Sequence, residues 1–487
     1  MKSHFIHGAR LCGLILPALL LHGCAVGPNY RRPDAPVPSA YKELPADAPG
    51  WKAGTPQDQA DRGAWWSVYA DPELDELERQ VKISNQNVKE YEAEYRQAVA
   101  LLKEAEAQLF PTLSISGGGQ RGGGGGGTAS VSSAVGSGAG GSTHTEFTLE
   151  AAISWQPDIW GTVRRQIESR KAGVQVDKAN LANAQLSAQA TLATDYFDLR
   201  AADSLRRVLR KIVALDQRAL EITQSQVNGG TATNGDLASA QASLLAAKAQ
   251  LVSVDQQRGT YEHAIAVLTG HLPSELSIPE APLTANVPSV PTALPSTLLE
   301  RNPAVAAAER QMQAENALIG VAIGAYFPTI SLSGLGGYAG NPLSQLLKLG
   351  NRIWSVGGTA SDTLFQGGSQ VAAVANARAN YDQYVAAYRQ TVLSAFQSVE
   401  DQLLALRVLE NEAKYQDEAV GSAQVAADIA LNQFNGGTVA YTTVITTIQA
   451  LLADQESALT IQQNQLVASV TLIAALGGGW DSSDLRL

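Results

Sequence analysis

Two stretches of the chain switch abruptly from helical to strand periodicity. Phe110-Pro111-Thr112-Leu113-Ser114-Ile115-Ser116 and Phe327-Pro328-Thr329-Ile330-Ser331-Leu332-Ser333 each follow an Ala-rich run, break it at Pro, then alternate apolar with polar residues. Pro lacks an N–H and fixes φ, so it ends a helix but suits the start of an extended segment. Alternation sends Leu113 and Ile115 to one face and Thr112, Ser114 and Ser116 to the other. Such a strand fits a soluble sheet with one wet face, and equally a membrane barrel with lipid outside and water inside. One strand alone favours the soluble sheet; the rest of the chain reverses that.

Each copy predicts a second strand. Phe147, Leu149, Ala151, Ile153 and Trp155 alternate with polar or small residues over 146–155, and Trp155 suits an aromatic girdle at a membrane interface. Between Arg352 and Leu364 the alternation through Trp354 and Val356 is looser. Gly117 to Thr143 is almost wholly Gly, Ser, Ala and Thr, which cannot bury a core and predicts an exposed flexible loop. The formal GxGxxG at Gly136-Ser137-Gly138-Ala139-Gly140-Gly141 arises from this composition and lacks the strand–helix setting of a nucleotide site.

The helical patterns are long. No Pro occurs between Pro157 and Pro273 or after Pro342. Helix is expected from about Thr162 to Val227, roughly 100 Å at 1.5 Å per residue, returning from Leu237 to Thr269. Val371, Val374, Tyr381, Val385, Tyr388, Val392, Val399, Leu403 and Leu406 follow the alternating three- and four-residue spacing of a coiled-coil seam. Asn-Gly-Gly turns then reverse the chain, since Gly accepts positive φ.

The whole plan occurs twice. Val88 and Phe110 return as Val305 and Phe327, both at an offset of 217 (305 − 88 and 327 − 110). Gln226-Val227-Asn228-Gly229-Gly230-Thr231 returns as Gln433-Phe434-Asn435-Gly436-Gly437-Thr438, offset by 207 (433 − 226). The difference falls between the first strand and the long helix, where copy one carries the longer loop. Two Pro-rich stretches, Ala25 to about Arg62 and Pro273 to Pro295, flank the first copy and should lie extended over other structure.

Four strands cannot enclose a lumen, because membrane barrels need about eight or more. Open edges in hydrocarbon would leave backbone groups unpaired at several kcal/mol each. The edges must therefore pair with other copies, giving eight, twelve or more strands.

Composition sharpens this picture at the N-terminus. Residues 1–23 carry Lys2 and Arg10, no acid, and an apolar run from Leu11 to Leu21, which reads as a signal peptide too short to span a membrane. Leu21-His22-Gly23-Cys24 resembles a bacterial lipoprotein box, with cleavage before Cys24 and acylation of that residue. Cys24 is then the only cysteine left, so no intrachain disulfide forms. Removing Lys2 and Arg10 takes the formal charge from −11 to −13 (−11 − 2), which disfavours nucleic acid as a partner. Ala25 rather than Asp after the Cys implies sorting to the outer membrane.

Enzyme classes find no support. The chain has no HExxH, CxxC, GxSxG or Walker GK[ST]. His4, His7 and His22 leave with the signal peptide; His144, His263 and His271 lack metal-ligand spacing and are placed in a loop, a helix and a helix end. Neither a cofactor nor a metal is expected.

Cys24-Ala25-Val26-Gly27-Pro28-Asn29-Tyr30-Arg31-Arg32-Pro33, Trp65-Trp66, the paired Phe-Pro-Thr strands and the paired Asn-Gly-Gly-Thr turns resemble the TolC-like outer-membrane efflux proteins, in their OprM-like lipoprotein branch. The resemblance covers essentially the whole mature chain. It implies a mostly α chain with membrane β-strands, a homotrimer with a twelve-stranded β-barrel and a periplasmic α-barrel, anchored in the outer membrane of a Gram-negative bacterium. Its implied role is the exit duct of a tripartite pump, joined by a periplasmic adaptor to an inner-membrane transporter of the RND type. Ducts for protein secretion, metal-ion efflux or lipo-oligosaccharide export are alternatives within the class. A pore-less periplasmic coiled-coil adaptor is the alternative outside it.

Family members close the duct at the periplasmic helix tips. That places the gate and adaptor contact at Asn228, Gly229, Gly230 and Asp236, and at Asn435, Gly436, Gly437, Thr438, Val439, Tyr441, Thr443 and Thr446. Asp236 matches an acidic gate position, and it equally suits a helix N-cap ahead of Leu237. Where family members often carry Arg and two acids after the second turn, this chain has Val439, Thr443 and Thr446. Closure by hydroxyls, or by apolar contacts around Val439 and Tyr441, takes the place of a charge latch.

The expected division is a signal peptide over 1–23, a lipidated Pro-rich segment over 24–63 and a first repeat over 64–272. That repeat holds a strand pair at 111–156 and a helical hairpin at 160–270. A linker over 273–296 precedes a second repeat over 297–480, with strands at 328–364 and hairpin at 367–476, and a tail at 481–487.

Overall fold

The two repeats build helices of matching length. In the computed structural model, α1 (Pro72–Ser84) precedes α2 (Gln86–Ala107), β1 (Thr112–Gly123), β2 (Thr143–Trp155), α3 (Thr162–Asn228) and α4 (Asn234–Leu268). The second repeat gives α5 (Pro303–Gly324), β3 (Thr329–Gly340), β4 (Arg352–Ser361), α6 (Ser369–Asn435) and α7 (Tyr441–Ala475). α2 and α5 have 22 residues each, α3 and α6 have 67, and α4 and α7 have 35. The structure describes residues 25–35, 38, 41–43, 64–123, 143–288 and 301–479. The signal peptide, Cys24 and the GxGxxG match lie outside the described residues. Among the described residues no helix is long and apolar enough to cross a membrane.

Two compact units divide the chain. The first gathers the sheet with the described residues of 98–174, 311–384 and 25–31. Its four strands are antiparallel in the order β1-β2-β3-β4, so β1 and β4 are edges. Thr112 faces Ser154 and Thr329 faces Ser361. The strand equivalences are therefore 217 for β1/β3 (329 − 112) and 207 for β2/β4 (361 − 154), which puts the length difference between the repeats in the β1–β2 connection.

The register sorts side chains by face. Leu113, Ile115, Phe147, Leu149, Ile153, Ile330, Leu332, Tyr338, Trp354 and Val356 share one face. Thr112, Ser114, Ser116, Glu150, Ser154, Ser331, Ser333, Ser355 and Thr359 share the other, interrupted by Leu335 and Ile353. The apolar face is open: Ile115 is 76% exposed and Trp354 73%.

The strands depart from the sequence reading in two places. β1 runs on to Gly123, through glycines expected to be loop, because a ladder needs only backbone groups; Phe147 on β2 lies over Gly119, within 3.1 Å of where a Cβ would be. β2 starts at Thr143, so His144 is a strand residue, not a loop residue.

Aromatic rings close the strand–helix junctions of this unit. Trp155 Nε1 donates to the Leu109 carbonyl at 2.9 Å. Trp160 stacks on Phe327 at 4.8 Å and 22°, with Nε1 donating to the Pro328 carbonyl at 2.9 Å. Asp158 caps α3 by accepting the Val163 and Arg164 N–H groups, both at 3.0 Å. The N-terminal strap is seated here as well. Arg165 reaches the Val26 carbonyl at 3.1 Å and Asn29 Oδ1 at 2.8 Å, and Gly27 passes so near Gly320 that a Cβ would collide with its Cα.

The second unit holds the main apolar core, where Trp65, Trp66, Tyr69, Leu74, Val81, Tyr196, Phe197 and Ile265 pack with Leu466 and Val470. The Pro-rich linker is bound down across it. Asp203, fully buried, accepts Arg258 Nε at 2.6 Å, Arg200 at 3.3 Å and the Ala281 N–H at 3.2 Å. The same arginines donate to the linker carbonyls, Arg258 to Ile278 at 2.5 Å and Arg200 to Pro279 at 2.7 Å. On α6 the predicted seam is buried at Tyr388, Val392, Val399, Leu403 and Leu406. Val371 at its start is instead exposed, because α6 leaves the edge strand β4 and its first turns are as open as that edge.

Removing one partner of a buried ion network strands the others. Asp203→Ala should therefore cost about 3–5 kcal/mol, seen as a lowered denaturant midpoint in detergent. Glu410→Ala, which removes an exposed pair with Lys414 at 3.6 Å, should shift it by less than about 0.5 kcal/mol. Equal shifts would refute the assignment.

Candidate functional site: the paired helix tips

Both long helices end by the same chemistry. At the end of α3 the Gly230 N–H donates to the Val227 carbonyl at 3.0 Å and the Thr231 N–H to the Gln226 carbonyl at 2.8 Å. At the end of α6 the Gly437 N–H donates to Phe434 at 2.9 Å and the Thr438 N–H to Gln433 at 2.9 Å. Gly230 and Gly437 take φ of 74° and 72°, the left-handed conformation that costs other residues strain. Thr231 and Thr438 add a hydroxyl bond to the same Gln carbonyls, at 3.1 and 2.9 Å. Asn228, Gly229, Asn435 and Gly436 are exposed, and Asn228 Oδ1 accepts from Gln224 at 3.2 Å.

The helices that follow start differently. Thr233 is the N-cap of α4 and Asp236 its N3 residue, in a reciprocal capping box. The Asp236 N–H donates to Thr233 Oγ1 at 3.1 Å, and the Thr233 N–H and hydroxyl donate to Asp236 Oδ2 at 3.0 and 2.8 Å. Asp236 is thus not the N-cap expected ahead of Leu237; the helix begins three residues earlier because Thr233 offers the better-placed oxygen. These bonds from Thr233 hold the Asp236 carboxyl below its ordinary pKa. In the second tip the equivalent positions are Ala440 and Thr443, and Ala440 provides no side-chain cap. Thr446 spends its hydroxyl on the Thr443 carbonyl at 2.9 Å.

One apolar cluster holds the two tips together. Ile212 and Ala219 of α3, Ala240 and Ala247 of α4, Ala430 and Phe434 of α6, and Tyr441, Val444 and Ile448 of α7 pack in it, with Val439 against its edge. Phe434 and Tyr441 rings lie 5.2 Å apart. Inside the cluster Asp216, 2% exposed, accepts Tyr441 OH at 3.3 Å on one oxygen and Ser243 Oγ at 3.2 Å on the other. Three helices from both repeats therefore converge on a carboxylate served by hydroxyls. Burial raises the Asp216 pKa, with the Ser243 and Tyr441 bonds opposing, and burial raises the Tyr441 phenol too.

Of the predicted residues, the structure brings Tyr441 and Val439 into this cluster. It leaves Thr443 and Thr446 exposed on α7 and Asp236 half-buried in its capping box with Thr233. Asp216 and Ser243 were missed. The available signal was a lone acid on the stripe Ile212, Asp216, Ala219 and Thr223, whose other members are all buried.

The two acids give opposite pH behaviour. Asp216 has a raised folded pKa, so its stabilisation is complete below the unfolded value of about 4 and is lost as pH rises through the folded pKa. Asp236 has a lowered one, so its stabilisation is present above about 4 and is lost as pH falls through the folded pKa. Amide exchange at the tips, corrected for intrinsic rate, should show protection falling as pH rises above about 4, and Asp216→Asn should abolish that trend. An unchanged trend would exclude Asp216 as its source.

The model of the outer membrane efflux protein family matches residues 77–271 and again 294–478, one match per repeat. The chain is 26% identical to the probable efflux pump outer membrane protein TtgC of Pseudomonas putida, over 96% of each chain. It is 27% identical to the pyoverdine export outer membrane protein OpmQ of Pseudomonas aeruginosa, over 96% of this chain and 97% of that one. The solved structure of the outer-membrane channel OprN superposes with a TM-score of 0.83 at 26% identity, covering 94% of this chain and all of the other. The fold is that of the TolC-like channels, and the chain belongs to the outer membrane efflux protein family.

Proposed function

We propose that this chain is the outer-membrane exit duct of a tripartite efflux pump, passing small molecules from an inner-membrane RND-type transporter and its periplasmic adaptor to the exterior. The family is one of channels and not of enzymes. The observation that carries the reading is the four-strand sheet, apolar on one face and hydroxylic on the other, with two unpaired edges. Three copies supply twelve strands, a number that closes a barrel with a water-filled lumen. Acylation of Cys24 anchors the N-terminus, because several acyl chains contribute about 0.8 kcal/mol per buried CH₂.

The tips are the gate and the adaptor contact in this reading. The exposed residues Asn228 to Gly230 and Asn435 to Thr438 meet the adaptor, while Asp236, Thr443 and Thr446 line the first turns behind them. Closure rests on the apolar cluster under Val439 and on the Tyr441–Asp216 bond, since the second tip has hydroxyls where a charge latch would stand. A hydrogen bond from a hydroxyl to a carboxylate contributes about 1.5–3 kcal/mol, small enough for an adaptor to overcome at three tips.

In planar bilayers the purified protein should give a low-conductance closed state, and Tyr441→Phe should raise conductance and opening frequency. Conductance identical to wild type would remove Tyr441 from the gate. In a strain lacking the duct but keeping adaptor and transporter, the wild-type gene should restore drug resistance; failure to do so would contradict the pump assignment. Cys24→Ser should abolish palmitate labelling, and retained label would place the lipid elsewhere.

A further inference from the structure

Each long helix holds one Pro-rich segment, and the same arginine does the holding. Arg200 on α3 and Arg407 on α6 stand at matching places in the two repeats, 207 apart (407 − 200). Arg200 donates to the Pro279 carbonyl of the linker, and Arg407 pairs with Glu43 of the N-terminal strap. The strap's grip continues up α6. The Glu400 carboxylate accepts the Lys42 N–H at 2.7 Å on one oxygen and the Glu43 N–H at 3.1 Å on the other. Tyr41 is buried, its ring centroid 6.3 Å from that of Phe396. Arg32 donates to the Tyr388 hydroxyl at 3.0 Å and pairs with Glu309 at 3.8 Å. Phe396, Glu400 and Arg407, four and seven residues apart, share one face of the helix. From Tyr388 to Arg407 the contacts cover about 28 Å of α6.

The two clasps differ in how firmly they hold. The Arg200 side chain is 4% exposed and its partner Asp203 fully buried, whereas the Arg407 side chain is 47% exposed. A buried ion network is costly to break, while a half-exposed pair holds weakly and exchanges with water. The helices also differ below the clasps. No residue of α6 from 408 to 426 is buried, and burial resumes at Ala427, Ala430 and Phe434 of the tip cluster. On α3 the matching stretch 201–219 buries Asp203, Leu209, Ile212, Asp216 and Ala219. Thus α6 is fastened at the strap and at the tip, with a bare span of about 28 Å between them.

We propose that the N-terminal strap, through Arg32 and Tyr41 to Glu43, is a releasable splint on α6 that ends at Arg407 and thereby sets how easily the tip below it opens. The inference rests on the reading of the tips as a gate; what it adds is a restraint far from the gate and the residues that make it. With the strap seated, a displacement of the tip bends α6 only within 408–426. With the strap released, the bend spreads upward over 396–407. The same displacement then costs less, because a given deflection strains a longer rod less at every point. The linker on α3 has the matching place but a buried clasp, so the first repeat carries the permanent version of the same device.

The test uses the full lipoprotein and two readouts, amide exchange along α6 and opening frequency in planar bilayers. Glu400→Ala and Tyr41→Ala should each raise exchange over 396–407 by about tenfold, toward the rate of 408–426, with β2 and β3 unchanged. Each should raise the opening frequency, and the double variant should go little further than the stronger single one, since both contacts belong to one strap. Tyr41→Phe, which keeps the ring, and Glu410→Ala, which removes only the exposed pair with Lys414, should behave as wild type. Unchanged exchange over 396–407 in both alanine variants would overturn the splint, and so would a rise spread equally over β2 and β3. Raised exchange with an unchanged opening frequency would overturn its hold on the tip. A wild-type protein that forms no channel would instead overturn the duct reading, while the exchange experiment still decides whether the strap splints α6.

Discussion

Backbone amides at the edge of a sheet are the constraint on which this molecule depends. A hydrocarbon environment offers no water to satisfy them, at several kcal/mol for each group left unpaired. A chain with four strands in open order, its apolar face turned outward, has two such edges. On the reading proposed above, it satisfies them by meeting copies of itself. The duplication makes this possible, because a strand pair that already joins two repeats within the chain can join two chains by the same geometry. Long helices of matching length in both repeats follow the same logic.

The tips show how far duplication can drift without loss of the turn. Both keep the left-handed glycine and the bonds back to a Gln carbonyl, because the reversal needs them. The caps beyond the turns differ: the first tip is fastened by Thr233 and Asp236, and the second has Ala440 and Thr443 in their places, with no side-chain cap from Ala440. The second tip is held by burial, through Phe434, Tyr441 and the Asp216 carboxylate contributed by the first repeat.

Much of this was legible in the sequence because it is periodic or local. The Phe-Pro-Thr strands, the Asn-Gly-Gly turns and the two offsets are visible as spacing, and strand register reproduces both offsets. The continuation of β1 through Gly123 was not legible, since glycine composition says loop while a ladder asks only for backbone. Asp236 could be placed at a helix start, but not one turn position over another, because Thr233 competes for the cap. Asp216 escaped notice because its partners stand 27 and 225 residues away, and only packing decides which helix faces which. Phe110 is visible in the sequence as the counterpart of Phe327, but its exposure is not; only the structure shows Phe327 covered by Trp160 and Phe110 open.

The most direct measurement is hydrogen exchange of the edge-strand amides in the lipid-reconstituted protein, strand by strand. If edges are completed by other copies, the amides of β1 and β4 that point away from their own sheet are protected as strongly as those of the central strands β2 and β3. Rapid exchange confined to the outward amides of β1 and β4, in a protein whose β2 and β3 are protected, would contradict closure between copies.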